Sequence, residues 1–230
     1  MRDDGVLFQD RRDAGRRLAG RLSGYRGRPG VLVLALPRGG VPVGFEVAQA
    51  LDAPLDVFLA RKLGVPGQPE LAMGAVASGG GRVLDRDLVL RLGISQREIA
   101  AVEARERREL ERREHAYRGD RPSPTITGRT IILVDDGVAT GSTIKAAIAA
   151  LRGQRPAAIV AAVPVAPPST CRELEALADE VVCVAAPEPF YAVGRFYVDF
   201  EATSDEEVCS LIDLAARRPG RVPAGAAATD

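Results

Sequence analysis

The stretch that decides the fold is "IILVDDGVATGSTI", residues 131–144. Four apolar residues run directly into Asp135 and Asp136, and the chain continues with glycine, alanine, serine and threonine. An uninterrupted apolar run is typical of a parallel strand that is covered on both faces. Ligands of parallel sheets bind beyond the carboxyl ends of the strands. We therefore expect both aspartates to lie at a ligand site.

The segment after the aspartates has the composition of an anion-binding loop. It leads into a helix predicted over 143–152, and a helix N-terminus offers unpaired N–H groups and the positive end of the helix dipole. Gly137 and Gly141 let the backbone approach a ligand, while Thr140 and Ser142 add hydroxyl donors. Carboxylates accept hydrogen bonds from hydroxyls, so the order predicts a sugar phosphate with vicinal hydroxyls, such as ribose 5-phosphate.

Other phosphate-binding motifs do not fit this stretch. The Walker pattern has four residues between its glycines and then Gly-Lys, whereas residues 137–143 have three and no lysine. A dinucleotide fingerprint places its glycines before any acidic residue. A plain strand-to-helix turn stays open as an alternative, but it explains one aspartate and one capping hydroxyl better than the whole set.

Composition narrows the class of protein. The chain has 230 residues, 46% of them hydrophobic, and its formal net charge is zero. Since no whole-protein field attracts nucleic acid or an anionic membrane surface, we expect neither as a partner. No apolar run approaches the roughly 18 residues of a membrane span, and charges occupy the place of a signal peptide's apolar core. Three scattered cysteines fit neither a disulfide framework nor a zinc site, and we expect a cytoplasmic protein.

Apolar runs alternate with helical segments, which predicts an α/β fold with a mostly parallel sheet and helices on both faces. We interpret residues 1–218 as one domain and expect 219–230 to be disordered. The predicted strands are 31–36, 55–60, 128–134, 157–166 and 180–186. The predicted helices are 8–22, 41–51, 95–118, 143–152, 169–179 and 204–218.

Residues 63–127 form an inserted excursion between core strands. The short apolar runs and triple glycine of 66–94 predict a hairpin or a mobile loop. Segment 95–118 predicts a long charged helix, because Ser95 and Glu98 have the spacing of a capping box and acidic residues precede arginines by four positions. We expect one narrow stripe of this helix to contact protein and the rest to be solvated.

Residues 131–143 resemble, over their full length, the 5-phosphoribosyl-1-pyrophosphate (PRPP) signature of type I phosphoribosyltransferases. The resemblance implies that fold, with PRPP and a small-molecule acceptor as ligands and Mg²⁺ bound mainly through PRPP. It implies that Asp135 and Asp136 bind the ribose 2′- and 3′-hydroxyls. Family members often dimerise, so a homodimer is an option for this chain. The residues implied to hold the 5′-phosphate are Ala139, Thr140, Gly141, Ser142 and Thr143, called the cradle below.

The segment "LPRGGVP" follows the strand predicted at 31–36. In the family this position holds the pyrophosphate of PRPP, often on a strained peptide. The resemblance therefore implies that Arg38, Gly39 and Gly40 bind pyrophosphate. An ordinary glycine turn is the alternative.

The segment "ARKLG" comes at the end of the strand predicted at 55–60 and supplies Arg61 and Lys62. The family often has a cation here that contacts pyrophosphate, and a surface salt bridge is the alternative. We expect both side chains to face the same cleft as Arg38. Residues 63–94 then lie where the family keeps a mobile loop that closes over the site.

Five aromatic residues lie within "PEPFYAVGRFYVDF", residues 187–200. The family selects its base with a hood built from the chain ends, and we assign 187–203 to that hood. The segment resembles the purine-holding part of hypoxanthine-type members, although Gly194 and Asp199 are one residue further apart than expected. Phe190, Tyr191 and Val193 are the candidate base-binding residues. An equally open alternative is that these aromatic residues pack a small core within the hood.

The resemblance implies transfer of phosphoribosyl from PRPP to a nitrogen acceptor, with release of pyrophosphate, as a step of nucleotide metabolism. A nucleobase is the expected acceptor, with a purine slightly favoured, and Asp135, Asp136 and Lys62 are the catalytic candidates. One alternative is a non-enzymatic regulator that senses PRPP or a nucleotide, but the sequence has no basic stripe of the kind that binds nucleic acid. Another is a ribose-phosphate hydrolase, which the sequence does not separate from the transferase.

Overall fold

A computed structural model describes residues 6–217, so the prediction for the tail 219–230 lies outside the described residues. The strands are β1 (Val31–Ala35), β2 (Leu55–Val57), β3 (Ala60–Val65), β4 (Gln68–Ala77), β5 (Arg82–Leu84), β6 (Thr130–Val134), β7 (Ala158–Val165) and β8 (Glu180–Ala185). The helices are α1 (Arg11–Arg21), α2 (Gly40–Leu51), α3 (Arg86–Arg91), α4 (Gln96–Arg118), α5 (Ser142–Arg152), α6 (Pro168–Glu175) and α7 (Asp205–Ala216).

The main sheet is parallel and has the strand order β2-β1-β6-β7-β8. Successive side chains of a strand point to opposite faces, so a sheet of apolar strands must be covered on both sides. Val31 and Val33 pack in a cluster with residues of α1 and α2. Leu32 and Leu34 pack in another with residues of α5 and α6. The predicted α/β fold, with helices on both faces, is confirmed.

The strand predicted at 55–60 is wrong in extent. β2 ends at Val57, and β3 begins at Ala60 in a separate antiparallel sheet with the order β3-β4-β5. The break has a structural cause: the N–H of Leu59 donates to the Ser78 hydroxyl at 2.9 Å and not to a parallel neighbour. The chain therefore leaves the main sheet two residues before β3 starts.

The excursion between β2 and β6 builds a second core. The antiparallel pair of β4 and β5 agrees with the hairpin predicted for 66–94. Leu63 on β3 and Met73 on β4 are fully buried. They share a cluster with residues of α4 and α7. α4 begins with the predicted capping box of Ser95 and Glu98. Its buried stripe also contains two charged residues, Glu106 and Arg118.

Arg118, at the end of α4, forms a buried ion pair with Asp56 on β2. The guanidinium Nε lies 3.1 Å from Asp56 Oδ2, and the side chains are 5% and 14% exposed. The same guanidinium donates to the Val57 carbonyl at 3.2 Å and to the Ser123 hydroxyl at 3.0 Å. Burial raises the pKa of Asp56, while the charge of Arg118 lowers it. This pair fastens the charged helix to the edge of the main sheet.

The hood, residues 187–203, pairs with residues 7–9. The N–H groups of Leu7 and Phe8 donate to the Phe196 carbonyl at 2.9 Å, and the N–H of Val198 donates to the Phe8 carbonyl at 2.9 Å. Phe8 and Tyr197 are buried with their rings 5.2 Å apart.

No helix among residues 6–217 has both the length and the apolar character needed to cross a membrane.

Candidate functional site

A depression of about 150 Å³ lies at the carboxyl end of β6. Asp135 and residues 137–144 line it, so the cradle forms one wall and an aspartate the other. Thr140, Ser142 and Thr143 are exposed at the start of α5, with the hydroxyl oxygens of the first two 3.2 Å apart. The structure thus places carboxylate oxygens, hydroxyl donors and a helix N-terminus around one small space.

Gly141 caps α5 with a φ of 75°, a left-handed conformation that favours glycine. A Cβ on Gly141 would lie 2.8 Å from Cε of Lys145 and 3.1 Å from Cγ2 of Thr170. Lys145 Nζ donates to the Thr140 carbonyl at 2.8 Å and also pairs with Glu173. Sequence reasoning did not select Lys145, although this rare lysine follows the signature by only two residues.

Gly39 and Gly40 pack directly against the two aspartates. A Cβ on Gly39 would lie 1.9 Å from Asp136 Oδ2, and one on Gly40 would lie 3.0 Å from Cα of Asp135. Only glycine fits at such distances. The peptide bond between Pro37 and Arg38 is cis. The structure therefore brings the loop after β1, residues 37–40 and called the glycine loop below, into contact with the loop after β6.

Arg38 lies beside the acidic first turn of α7. Its Nη1 is 4.0 Å from Oδ1 of Asp205, and both side chains are at least half exposed. The Asp205 carboxylate also accepts from the Tyr117 hydroxyl at 2.7 Å. Arg38 is thus held loosely at the rim of the glycine loop, by a contact that an anionic ligand could replace.

Arg61 and Lys62 do not lie after a parallel strand, because both belong to β3. Arg61 Nε is 2.6 Å from Glu106 on α4, and Lys62 Nζ is 3.6 Å from Glu70 across the hairpin. Consecutive side chains of a strand point to opposite faces. The expectation that both face one cleft is therefore wrong: Arg61 is directed to α4, while Lys62 shares a face with Ala60, which packs on the α5 side.

The two aspartates occupy unequal surroundings. Both are half-buried, and the Asp136 N–H donates to Asp135 Oδ1 at 2.9 Å. Burial, reinforced by the neighbouring Asp136 carboxylate, raises the pKa of Asp135 well above its usual value, while Arg11 acts in the opposite direction. A carboxyl group whose pKa is raised by burial and by a second carboxylate, at the edge of a depression, is typical of a functional site.

Arg11, at the start of α1, was not selected from the sequence. Its Nε lies 2.8 Å from Asp136 Oδ2, and its Nη1 donates to the Glu201 carbonyl at 2.6 Å. Its Cζ lies 3.9 Å from the ring centroid of Phe200. One side chain thus joins an aspartate of the site to the hood.

The hood borders the depression through Val193. A Cβ on Gly137 would lie 2.4 Å from Val193 Cγ1, so these residues are in close contact. Of the other predicted base-binding residues, Tyr191 is 72% exposed, whereas Phe190 packs in the hood with its ring 5.1 Å from that of Phe196. Most hood aromatics therefore form a small core, and Tyr191 faces outward from it.

Comparisons with known proteins give one family. Residues 8–201 match the model of the phosphoribosyl transferase domain family. Two Mycobacterium tuberculosis proteins, from strains CDC 1551 and H37Rv, are 49% identical over 211 residues, and their names assign them provisionally as phosphoribosyl transferases without an acceptor. The match covers 92% of this chain, which spans only about half, 47%, of the length of these relatives.

A solved structure supports the same fold. The crystal structure of TT1426 from Thermus thermophilus is 43% identical, with a TM-score of 0.81. The match covers 90% of this chain and 98% of that chain. The similarity therefore extends well beyond the parallel sheet.

Proposed function

Since this chain belongs to the phosphoribosyltransferase family, we propose that it transfers the 5-phosphoribosyl group of PRPP to a nitrogen acceptor and releases pyrophosphate. The observation that carries the proposal is the packing of the glycine loop against the acidic pair. It joins groups suited to the ribose and the pyrophosphate at one edge of the sheet, beside the cradle.

Each part of PRPP has a matching set of groups. Asp135 and Asp136 accept hydrogen bonds from the ribose hydroxyls. The cradle, residues 139–143, binds the 5′-phosphate through N–H groups and hydroxyls, aided by the dipole of α5. Gly39 offers its backbone N–H to the pyrophosphate, and Arg38 offers its charge. Gly40, whose N–H donates to the Leu36 carbonyl at 3.0 Å, contributes room for the ligand. The two carboxylates beside the ribose also stabilise the positive charge that develops at C1 as the C1–O bond breaks.

In the reaction the C1–O bond breaks and pyrophosphate leaves with its electron pair. A C1–N bond forms to the acceptor, which loses the proton of its N–H. The protein acts mainly by holding the two reactants in line and by stabilising the charge that develops. Lys62 is the candidate that offsets charge on the leaving pyrophosphate, and Arg61 at most supports the hairpin through α4.

Mg²⁺ is the cofactor we propose for this site. Within residues 6–217 no group of three or more His, Cys, Asp and Glu side chains is arranged to hold a metal ion. The side-chain atoms in the depression that can bind a metal are oxygens. Oxygens suit a hard cation that keeps most of its ligands from PRPP and water. When bound, Mg²⁺ neutralises phosphate charge, and the chain's own residues orient the PRPP.

A nucleobase, with a purine slightly favoured, is the acceptor we propose. Val193 borders the ribose-binding aspartates through Gly137, and Tyr191 presents an exposed ring to a flat partner. A cytoplasmic location and a role in nucleotide metabolism remain our expectations, as does a homodimer.

The direct test incubates the chain with Mg²⁺, PRPP and a panel of bases, and measures pyrophosphate release. Release that depends on one acceptor supports the transferase. Release without any acceptor indicates a hydrolase, and tight PRPP binding without release indicates a regulator. Omission of Mg²⁺ is the matched control for each assay.

Gly141→Val should abolish most binding of ribose 5-phosphate. The new side chain would fill the cradle between Lys145 and Thr170. Because valine would have to adopt the left-handed backbone conformation of Gly141, the substitution also lowers stability by about 1–2 kcal/mol. Calorimetry of ribose 5-phosphate binding, beside a thermal melt, measures both effects.

Gly128→Val is the control for this strain, because Gly128 has a similar φ of 73° and open space where a Cβ would lie. We expect it to lower the melting temperature by a similar amount and to leave binding unchanged. Retained binding in Gly141→Val would remove the cradle from the phosphate site.

Lys62→Ala should weaken PRPP binding roughly three- to tenfold while changing nucleoside monophosphate binding little, because only PRPP carries pyrophosphate. Turnover should also fall. Arg61→Ala is the matched control, since Arg61 pairs with Glu106 and its loss should lower the melting temperature and change both ligands alike. Equal losses for both ligands in Lys62→Ala would exclude it from the site.

A further inference from the structure

Arg11 differs from the other arginines of α1. Its side chain is only 12% exposed, and its partner Asp136 is 14% exposed. The adjacent Arg12 is 43% exposed and reaches Glu46 at 3.4 Å, while Arg17 pairs along its own helix with Asp13. The Arg11 side chain is therefore directed away from solvent and contacts the pair of Asp135 and Asp136 through Asp136.

The contacts of Arg11 hold one carboxylate oxygen of Asp136. Oδ2 of Asp136 receives the Nε donor of Arg11 and lies against Gly39. The Tyr197 hydroxyl donates to the main-chain carbonyl of Asp136, which fixes the backbone as well. Under the proposed function, the other oxygen, Oδ1, is the one that we assign to a ribose hydroxyl. The positive charge of Arg11 also offsets the repulsion between the neighbouring aspartates.

The same guanidinium is bound by the hood on its other side. Nη1 donates to the Glu201 carbonyl, and the planar group lies over the ring of Phe200. A planar guanidinium can make all these contacts at once, whereas an ammonium group cannot. The orientation of Asp136 is thereby linked to the position of the hood.

We infer that Arg11 is a positioning residue that orients Asp136 for the ribose hydroxyl and couples ribose recognition to the hood. This inference rests on the proposed function, since it assumes that Asp136 binds ribose. It assigns to the start of α1 a part in substrate selection: the preference for a ribose phosphate over a bare phosphate ester depends on Arg11.

The test compares two probes, ribose 5-phosphate and methyl phosphate, which share the phosphate but not the hydroxyls. Arg11→Gln should weaken ribose 5-phosphate binding about tenfold and leave methyl phosphate binding unchanged. Arg11→Lys should recover part of the loss, because it restores charge but not the planar contacts. Arg12→Gln, the matched control one residue away, should change neither dissociation constant.

The outcomes separate the inference from the function it rests on. If the unchanged protein binds both probes equally, the ribose assignment itself fails. If it prefers ribose 5-phosphate and Arg11→Gln keeps that preference, only the inference about Arg11 is overturned. An equal loss for both probes would indicate a structural role and would also overturn it. Should Arg11→Gln not fold, Arg11→Lys and Phe200→Leu carry the test, and both must reduce the preference.

Discussion

Joint replacement of Asp135 and Asp136 by asparagine is expected to lower PRPP affinity about a hundredfold. Each substitution converts a charge-assisted hydrogen bond to a ribose hydroxyl into a neutral one, a difference of about 1–1.5 kcal/mol. Two such bonds together give about two powers of ten in the dissociation constant. Calorimetry with PRPP measures the loss, and unchanged affinity would remove the acidic pair from the ribose site.

Asp135→Asn alone separates ligand binding from stability. Because the pKa of Asp135 is raised in the folded protein, its ionisation costs stability as pH rises from the unfolded value of 3.8 towards the higher folded value. Asparagine avoids this cost and can still accept the hydrogen bond from the Asp136 N–H. We expect Asp135→Asn to bind PRPP more weakly and yet to melt higher than the unchanged protein at neutral pH.

The stabilisation by Asp135→Asn should be larger at pH 7 than at pH 4. At pH 4 the raised pKa keeps the Asp135 carboxyl largely protonated in the folded protein, so its replacement removes little charge. Asp120→Asn, on an exposed turn, is the control and should change the melting temperature little at either pH. A lower melting temperature for Asp135→Asn at pH 7 would contradict the account of a site that sacrifices stability for binding.

Arg118→Met should be the most destabilising of the variants considered. It leaves Asp56 buried without its partner, which costs about 3–5 kcal/mol. For a domain of this size that corresponds to a fall in melting temperature on the order of 10 °C. The Val57 carbonyl and the Ser123 hydroxyl lose their guanidinium partner at the same time.

A second substitution tests the cause. Adding Asp56→Asn to Arg118→Met removes the uncompensated charge and should recover part of the loss, which a double-mutant cycle measures. Arg121→Met is the matched control, because its pair with Asp213 is exposed, at 35% and 53%, and should contribute less than about 1 kcal/mol. Similar losses for Arg118→Met and Arg121→Met would contradict the importance of burial.

The sequence was sufficient for the parts of the fold that rest on local signals. The apolar runs of β1, β6, β7 and β8 mark strands of the main sheet, and the capping box of Ser95 and Glu98 marks the start of α4. The end of β2 was not predictable in the same way. Its apolar pattern continues into β3, and the residue that redirects the backbone, Ser78, lies 19 positions beyond its partner Leu59.

The same distinction between local and distant signals applies to the residues of the site. The placement of the cradle and the acidic pair follows from one continuous stretch. Arg11 was missed because its sequence context is a helix with several arginines, and its carboxylate partner lies 125 positions away. The roles of Arg61 and Lys62 were assigned as a pair because they are adjacent, but the alternation of a strand sends them to opposite faces.

The link between Arg11 and the Glu201 carbonyl closes a loop of 190 positions, whereas Lys145 and the Thr140 carbonyl are five positions apart. Closing a long loop costs more chain entropy than forming a local turn. The cradle can therefore take shape with its own helix, but the contacts of Arg11 with the hood form only after β8 and the hood have been added. On partial opening the order reverses, and hydrogen exchange should be faster in residues 196–201 than in β6. Under the proposed function, acceptor selection would then be lost before phosphate binding when the protein is warmed.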